Sequence, residues 1–205
     1  MPFVPLCGLN ARMAAMERTI RVFESIEEAE KADNDYYRSL SPAQRVEILL
    51  ILRDQYTPYD DELTKGFERV YRIMNALDVR FVIVGAFALA HHGYPRYTGD
   101  IDLFVEKSTE NAGRILHALR QFGFGDIGLT TEDFVRKDHV VQLGVAPNRI
   151  DILTFLSGVS FEDAWSTREW GDFGGLRAPF ISRELLKQNK SACGRPQDLA
   201  DLEHL

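Results

Sequence analysis

Helical spacings alternate with short apolar runs along this chain, a rhythm that predicts a mixed α/β domain behind a helical leader. Val46, Ile48, Leu49, Leu50 and Leu52 follow Ser41-Pro42-Ala43-Gln44 at helical intervals. Ser41 suits an N-cap, Pro42 the first helical position and Gln44 the return bond of a capping box, so a helix runs to about Gln55. Thr57-Pro58-Tyr59-Asp60-Asp61 breaks that pattern, which divides the chain into an extension, 1–60, and a main domain, 61–205. Phe67, Val70, Tyr71, Met74 and Leu77 mark a second helix. Arg80–Val84 then reads as a buried strand, Gly85 as a turn, and the residues up to His92 as a short helix ended by Gly93 and Pro95.

Beyond it, Asp100–Val105 reads as a strand and Thr109–Phe122 as a helix with Ile115, Leu116, Leu119 and Phe122 facing inward. Gly123–Gly128 is a loop with a short strand near Ile127. Apolar runs at His139–Leu143 and Arg149–Phe155 flank Ala146-Pro147-Asn148 and predict a hairpin, and a second one turns at Gly174-Gly175. Phe161–Trp165 reads as a short helix. Two more begin after Ser182 and near Pro196. Ile26–Tyr37 is helical in pattern, whereas the first fifteen residues show no period, and Met13 and Met16 leave a later start open.

Composition narrows the class. A 205-residue chain with 45% hydrophobic and 27% charged residues suits a folded globular domain. A net charge of −7 argues against a broad basic surface for nucleic acid, though not against a local RNA contact. Cys7 and Cys193 stand far apart without metal-ligand spacing, and neither a signal peptide nor a membrane span is legible. The expectation is a cytoplasmic protein without a membrane partner.

Candidate chemistry centres on Asp100 and Asp102. With sixteen aspartates, about one Asp-x-Asp arises by chance, and Asp33-Asn34-Asp35 is such a copy. Context distinguishes the pair at 100 and 102, which share one face at the start of a strand that continues as Leu103-Phe104-Val105. Like charges held there call for a cation, and oxygen-only donors favour Mg²⁺ or Mn²⁺. Asp151, inside the apolar run Ile150–Leu153, supplies a third carboxylate if its strand lies beside the first. Gly85 ends a strand and opens a helix, where backbone N–H groups can receive phosphate.

The segments Val84-Gly85-Ala86-Phe87-Ala88-Leu89 and Thr98-Gly99-Asp100-Ile101-Asp102-Leu103 resemble the signature of the nucleotidyltransferase superfamily with the DNA polymerase β-type palm. Asn189 to Leu202, with Lys190, Arg195, Asp198 and Asp201, is similar to the C-terminal pattern of bacterial AbiEii-type nucleotidyltransferases, toxins of toxin–antitoxin and phage-defence systems. The resemblance implies an α/β palm, a mixed sheet flanked by helices. It implies metal binding by Asp100, Asp102 and Asp151, with Asp151 also helping to deprotonate the acceptor. Gly85 and Ala86 would contact the triphosphate of an NTP, ATP among the candidates, and Lys190 would be a phosphate-binding or catalytic lysine. Lys187 is its substitute, and Arg195, Asp198 and Asp201 are further site positions, or else a salt-bridged helix pair. Arg96 and Thr98 approach the acidic strand and could position phosphate.

Ala86 departs from the Gly or Ser usual in the second turn position: close backbone approach is kept, and a hydroxyl is lost. The implied reaction moves an NMP group to an acceptor hydroxyl of a tRNA, a protein or a small molecule, with a cognate antitoxin as a partner. The alternative is a catalytically weak binding or regulatory module. His91-His92 reads as a helix-end pair rather than a metal site, because helical neighbours diverge. Phe161, Trp165, Trp170 and Phe173 read as core.

Overall fold

The structure is a computed structural model that describes residues 35–56, 66–125, 128–136, 139–144 and 149–205. Readings for the first fifteen residues, most of Ile26–Tyr37, the break at 57–61, the strand near Ile127 and the turn at 146–148 lie outside the described residues. In chain order come α1 (Pro42–Tyr56), α2 (Gly66–Ala76), β1 (Phe81–Ile83), α3 (Gly85–His92), β2 (Asp100–Val105), α4 (Thr109–Phe122) and α5 (Glu132–Val135). They are followed by β3 (Val140–Leu143), β4 (Arg149–Leu153), α6 (Phe161–Ser166), β5 (Glu169–Phe173), β6 (Leu176–Phe180), α7 (Arg183–Cys193) and α8 (Pro196–Glu203).

Six strands form one mixed sheet in the order β3-β4-β2-β1-β6-β5. β2 runs antiparallel to β1 and parallel to β4, while both predicted hairpins are present as β3–β4 and β5–β6. The central strands carry Phe81, Val82, Ile83, Leu103, Phe104, Val105, Ile150 and Ile152, all buried. Helices cover them: α2 contributes Phe67, Val70, Tyr71 and Met74, and α4 contributes Ala112, Ile115 and Leu119. Rings interlock edge to face at Phe67–Phe87 and Phe87–Phe173, with centroids 5.9 and 5.4 Å apart. This packing fixes the frame in which β2 and β4 present their polar ends.

The capping box of α1 forms as read from the sequence. Ser41 N–H donates to Gln44 Oε1 at 2.8 Å and Gln44 N–H to Ser41 Oγ at 3.3 Å. Val46, Leu49 and Leu50 bury one face of the helix. Arg45, itself buried, donates to the carbonyls of Ala90 at 2.9 Å and His91 at 2.6 Å. These belong to the last turn of α3, whose carbonyls lack helical partners. Thus α1 is tied to α3, and residues 34–205 form one compact unit.

One reading of the aromatics needs correction. Phe161 and Phe173 are core, but Trp170 is exposed. On the end strand β5, its ring lies between Arg168 and Arg177, the latter 4.4 Å from the ring centroid. Cation–π contact holds it in place of burial.

Candidate functional site

Parallel pairing of β2 with β4 builds the site. The register sets Asp100 opposite Arg149 and Asp102 opposite Asp151. Side chains two apart on a strand share a face, so three carboxylates and one guanidinium project together from the starts of adjacent strands. Ile101 and Ile150, in alternate positions, are buried. The alternation that drives these isoleucines into the core therefore pushes the acids into one cluster.

Hydrogen bonds define its geometry. Thr98 Oγ1 donates to Asp100 Oδ1 at 2.5 Å. Arg149 donates from Nε to Asp151 Oδ1 at 2.9 Å and from Nη2 to Asp151 Oδ2 at 3.0 Å, and Nη2 also reaches Asp100 Oδ2. Gln142, opposite Asp151 on β3, adds a bond of 3.3 Å to Asp151 Oδ2. Burial first, and then the charges of Asp100 and Asp151, push the Asp102 carboxyl up to about 7, an effect that Arg149 and Lys190 only partly offset.

Gly85 closes the site from the other side. Its φ is +62°, and a Cβ built there would lie 2.0 Å from Asp102 Oδ2. Glycine is required twice over, by the left-handed backbone and by the carboxylate pressed against it. The preceding Val84 donates its N–H to the Asp102 carbonyl at 3.0 Å. No side chain caps the start of α3, and Ala86 is buried beside it. The uncapped start of α3 thus lies against the Asp102 carboxylate of this face. Such a donor set, oxygen only and with three carboxylates facing a single guanidinium, fits a hard divalent cation such as Mg²⁺ or Mn²⁺.

The C-terminal residues form a second charged cluster. Lys190 is buried and pairs with Asp201 at 2.5 Å and Asp198 at 3.6 Å. Arg96 grips Asp201 with two bonds of 2.8 and 2.9 Å, and Arg195 grips Asp198 at 2.6 and 3.2 Å. Although burial alone would raise both carboxyls, these cations hold them below the ordinary carboxylate value. Arg96 is therefore engaged with α8 rather than with the carboxylates of β2. Lys190 nonetheless acts electrostatically on Asp102, whereas Lys187 is partly exposed and has no ion-pair partner among the described residues.

Two residues went unread in the sequence. Arg149 was visible as a cation two positions before Asp151, a spacing that places both on one strand face. Gln142 carried no such signal, because its place depends on hairpin register. The expectation that His91 and His92 diverge also needs correction. One ligand atom from each, with one from Glu169, lie within 4.8 Å of one another. His91 stacks on Phe180 at 4.4 Å, and burial lowers its pKa to about 4. His92 Nε2 bonds the Ile181 carbonyl at 2.6 Å, so neither ring serves its own helix end.

Comparison with known proteins follows the fold. The structure is similar to a solved Thermotoga maritima protein provisionally described as a nucleotidyltransferase. The TM-score is 0.50 and the identity 17%, over 73% of this chain and 95% of that one. At that identity the likeness is one of fold. No family model matches the sequence, and no curated protein does. No helix among the described residues is long and apolar enough to cross a membrane.

Proposed function

We propose that this chain is a metal-dependent nucleotidyltransferase, moving an NMP group from an NTP to an acceptor hydroxyl with release of pyrophosphate. The observation that carries this reading is the β2–β4 register, which aligns Asp100, Asp102 and Asp151 on one face against the Gly85 turn. Asp100, Asp102 and Asp151 would hold Mg²⁺ or Mn²⁺. A cation held there supplies charge stabilisation at the reacting phosphate and on the departing pyrophosphate.

The chain's own residues do the rest. The uncapped start of α3, with Gly85 and Ala86 lacking bulky side chains, lets the triphosphate approach backbone N–H groups. Thr98 fixes the rotamer of Asp100 through its hydroxyl. The acceptor oxygen forms a bond to the α-phosphorus as the bond to the pyrophosphate oxygen breaks, and the hydroxyl proton passes to Asp151. Lys190 lends positive charge to the same end of the sheet, as its action on Asp102 indicates. Arg96, Arg195, Asp198 and Asp201 hold Lys190 in position. Within the superfamily we place the chain near the AbiEii-type toxins, on the Asn189–Leu202 pattern, with RNA, protein or a small molecule as acceptor.

The test is direct. Purified protein is incubated with Mg²⁺, each nucleoside triphosphate labelled at the α-phosphate, and cell extract, beside Asp100→Ala and Asp102→Ala variants. Label transferred by the wild type alone supports the reading and identifies the acceptor class. Equal label with the variants, for all four nucleotides, overturns it in favour of a binding module.

A further inference from the structure

We propose that Arg149 is an internal counter-ion which a divalent cation must displace, so that metal loading of the acidic face is gated by this one side chain. The proposal rests on reading Asp100, Asp102 and Asp151 as a cation site. Arg149 spans two of those three acids, holding Asp151 through Nε and Nη2 and Asp100 through Nη2. Its fork is the only positive group bonded to the acids of this face among the described residues.

Without it, three carboxylates brought together by strand register would repel one another with no compensation. A rigid planar guanidinium suits this task better than an ammonium, because one group can bridge two carboxylates at fixed spacing. The same placement makes it an obstacle. A dication held by these acids would compete for the oxygens of Asp100 and Asp151 that the guanidinium holds, and like charge disfavours both in one place. The Arg149 side chain is about one-third exposed, so it has solvent to swing into. Once released, the guanidinium is free to bind another anion, and a triphosphate suits its planar fork. Loading is therefore more favourable for cation and nucleotide together than for the cation alone.

The experiment is a Mn²⁺ titration without nucleotide, following loss of the free-ion electron paramagnetic resonance signal, in wild type, Arg149→Met and Arg149→Lys. Melting temperatures are measured at pH 8 with and without Mn²⁺. The expected result is about tenfold tighter Mn²⁺ binding by Arg149→Met, the scale of one lost charged hydrogen bond. Arg149→Lys falls between the two. Metal-free Arg149→Met melts below the wild type and gains more on adding Mn²⁺.

If wild type and Arg149→Met bind equally, or the variant binds more weakly, the gate is overturned while the cation site stands. If none of the three takes up Mn²⁺, the cation site fails and the gate with it. Should Arg149→Met not fold, Arg149→Lys carries the test, since it keeps the charge on a group that cannot bridge both acids.

Discussion

At the head of β2 and β4 three carboxylates share one guanidinium, whereas between α7 and α8 two carboxylates meet three cations. Both clusters hold aspartates at least partly withdrawn from solvent, yet Asp102 responds in the opposite direction from Asp198 and Asp201. Asp102 is pushed up to about 7, while Asp198 and Asp201 are held low. Burial acts the same way on all three, so the difference comes from the surrounding charge. A cluster whose every carboxylate is matched by a bonded cation stabilises the fold. One that is left short of positive charge is built for a ligand that brings it.

The largest effect should come from unbalancing the closed cluster. Asp201→Ala takes from buried Lys190 its nearer carboxylate, leaving Asp198 at 3.6 Å, and releases Arg96; breaking a buried ion pair costs roughly 3–5 kcal/mol, or a melting temperature roughly 10 °C lower. Calorimetry checks this, and an unchanged melting temperature would break the comparison. Next comes Gly85→Ala. Left-handed backbone and collision with Asp102 together cost about 2–4 kcal/mol, and NMP transfer should be lost with the displaced carboxylate.

Asp102→Asn should act with opposite sign. Because the folded carboxyl binds its proton more tightly than the ordinary 3.8, metal-free wild type loses stability as pH rises from there through about 7. The variant carries no such charge and should melt above the wild type at pH 8, with the gap closing towards pH 4. For Asp198 and Asp201 the sign reverses, and their contribution is lost as pH falls below the ordinary carboxylate range. The smallest effect belongs to Ser41→Ala, which removes a capping-box bond made to Gln44 and to neither cluster. It should cost about 1 kcal/mol and leave Mn²⁺ binding unchanged.

The fold was legible where periodicity and punctuation agreed. Thr109–Phe122 forms the predicted helix, closed by Gly123 at φ +114°, and both hairpins fall where turn residues interrupt apolar runs. Position was harder to read than element type. Asp151 lay in an apolar run, but only the parallel register brings it beside Asp102. Arg149 was masked by the same dependence, since a cation on a strand face gains meaning from what lies across the ladder. Trp170 read as core because composition does not distinguish burial from a ring held between two arginines. His91 and His92 read as diverging because helical geometry alone omits β5, which brings Glu169 to them.

The central claim is that the excess negative charge at β2 and β4 is there for a divalent cation. Anomalous diffraction from crystals soaked in Mn²⁺ and a non-hydrolysable NTP tests it most directly. The account predicts a peak bounded by Asp100, Asp102 and Asp151, with Arg149 turned away from Asp100. A map with no peak there, or with its one peak at His91, His92 and Glu169, would contradict it.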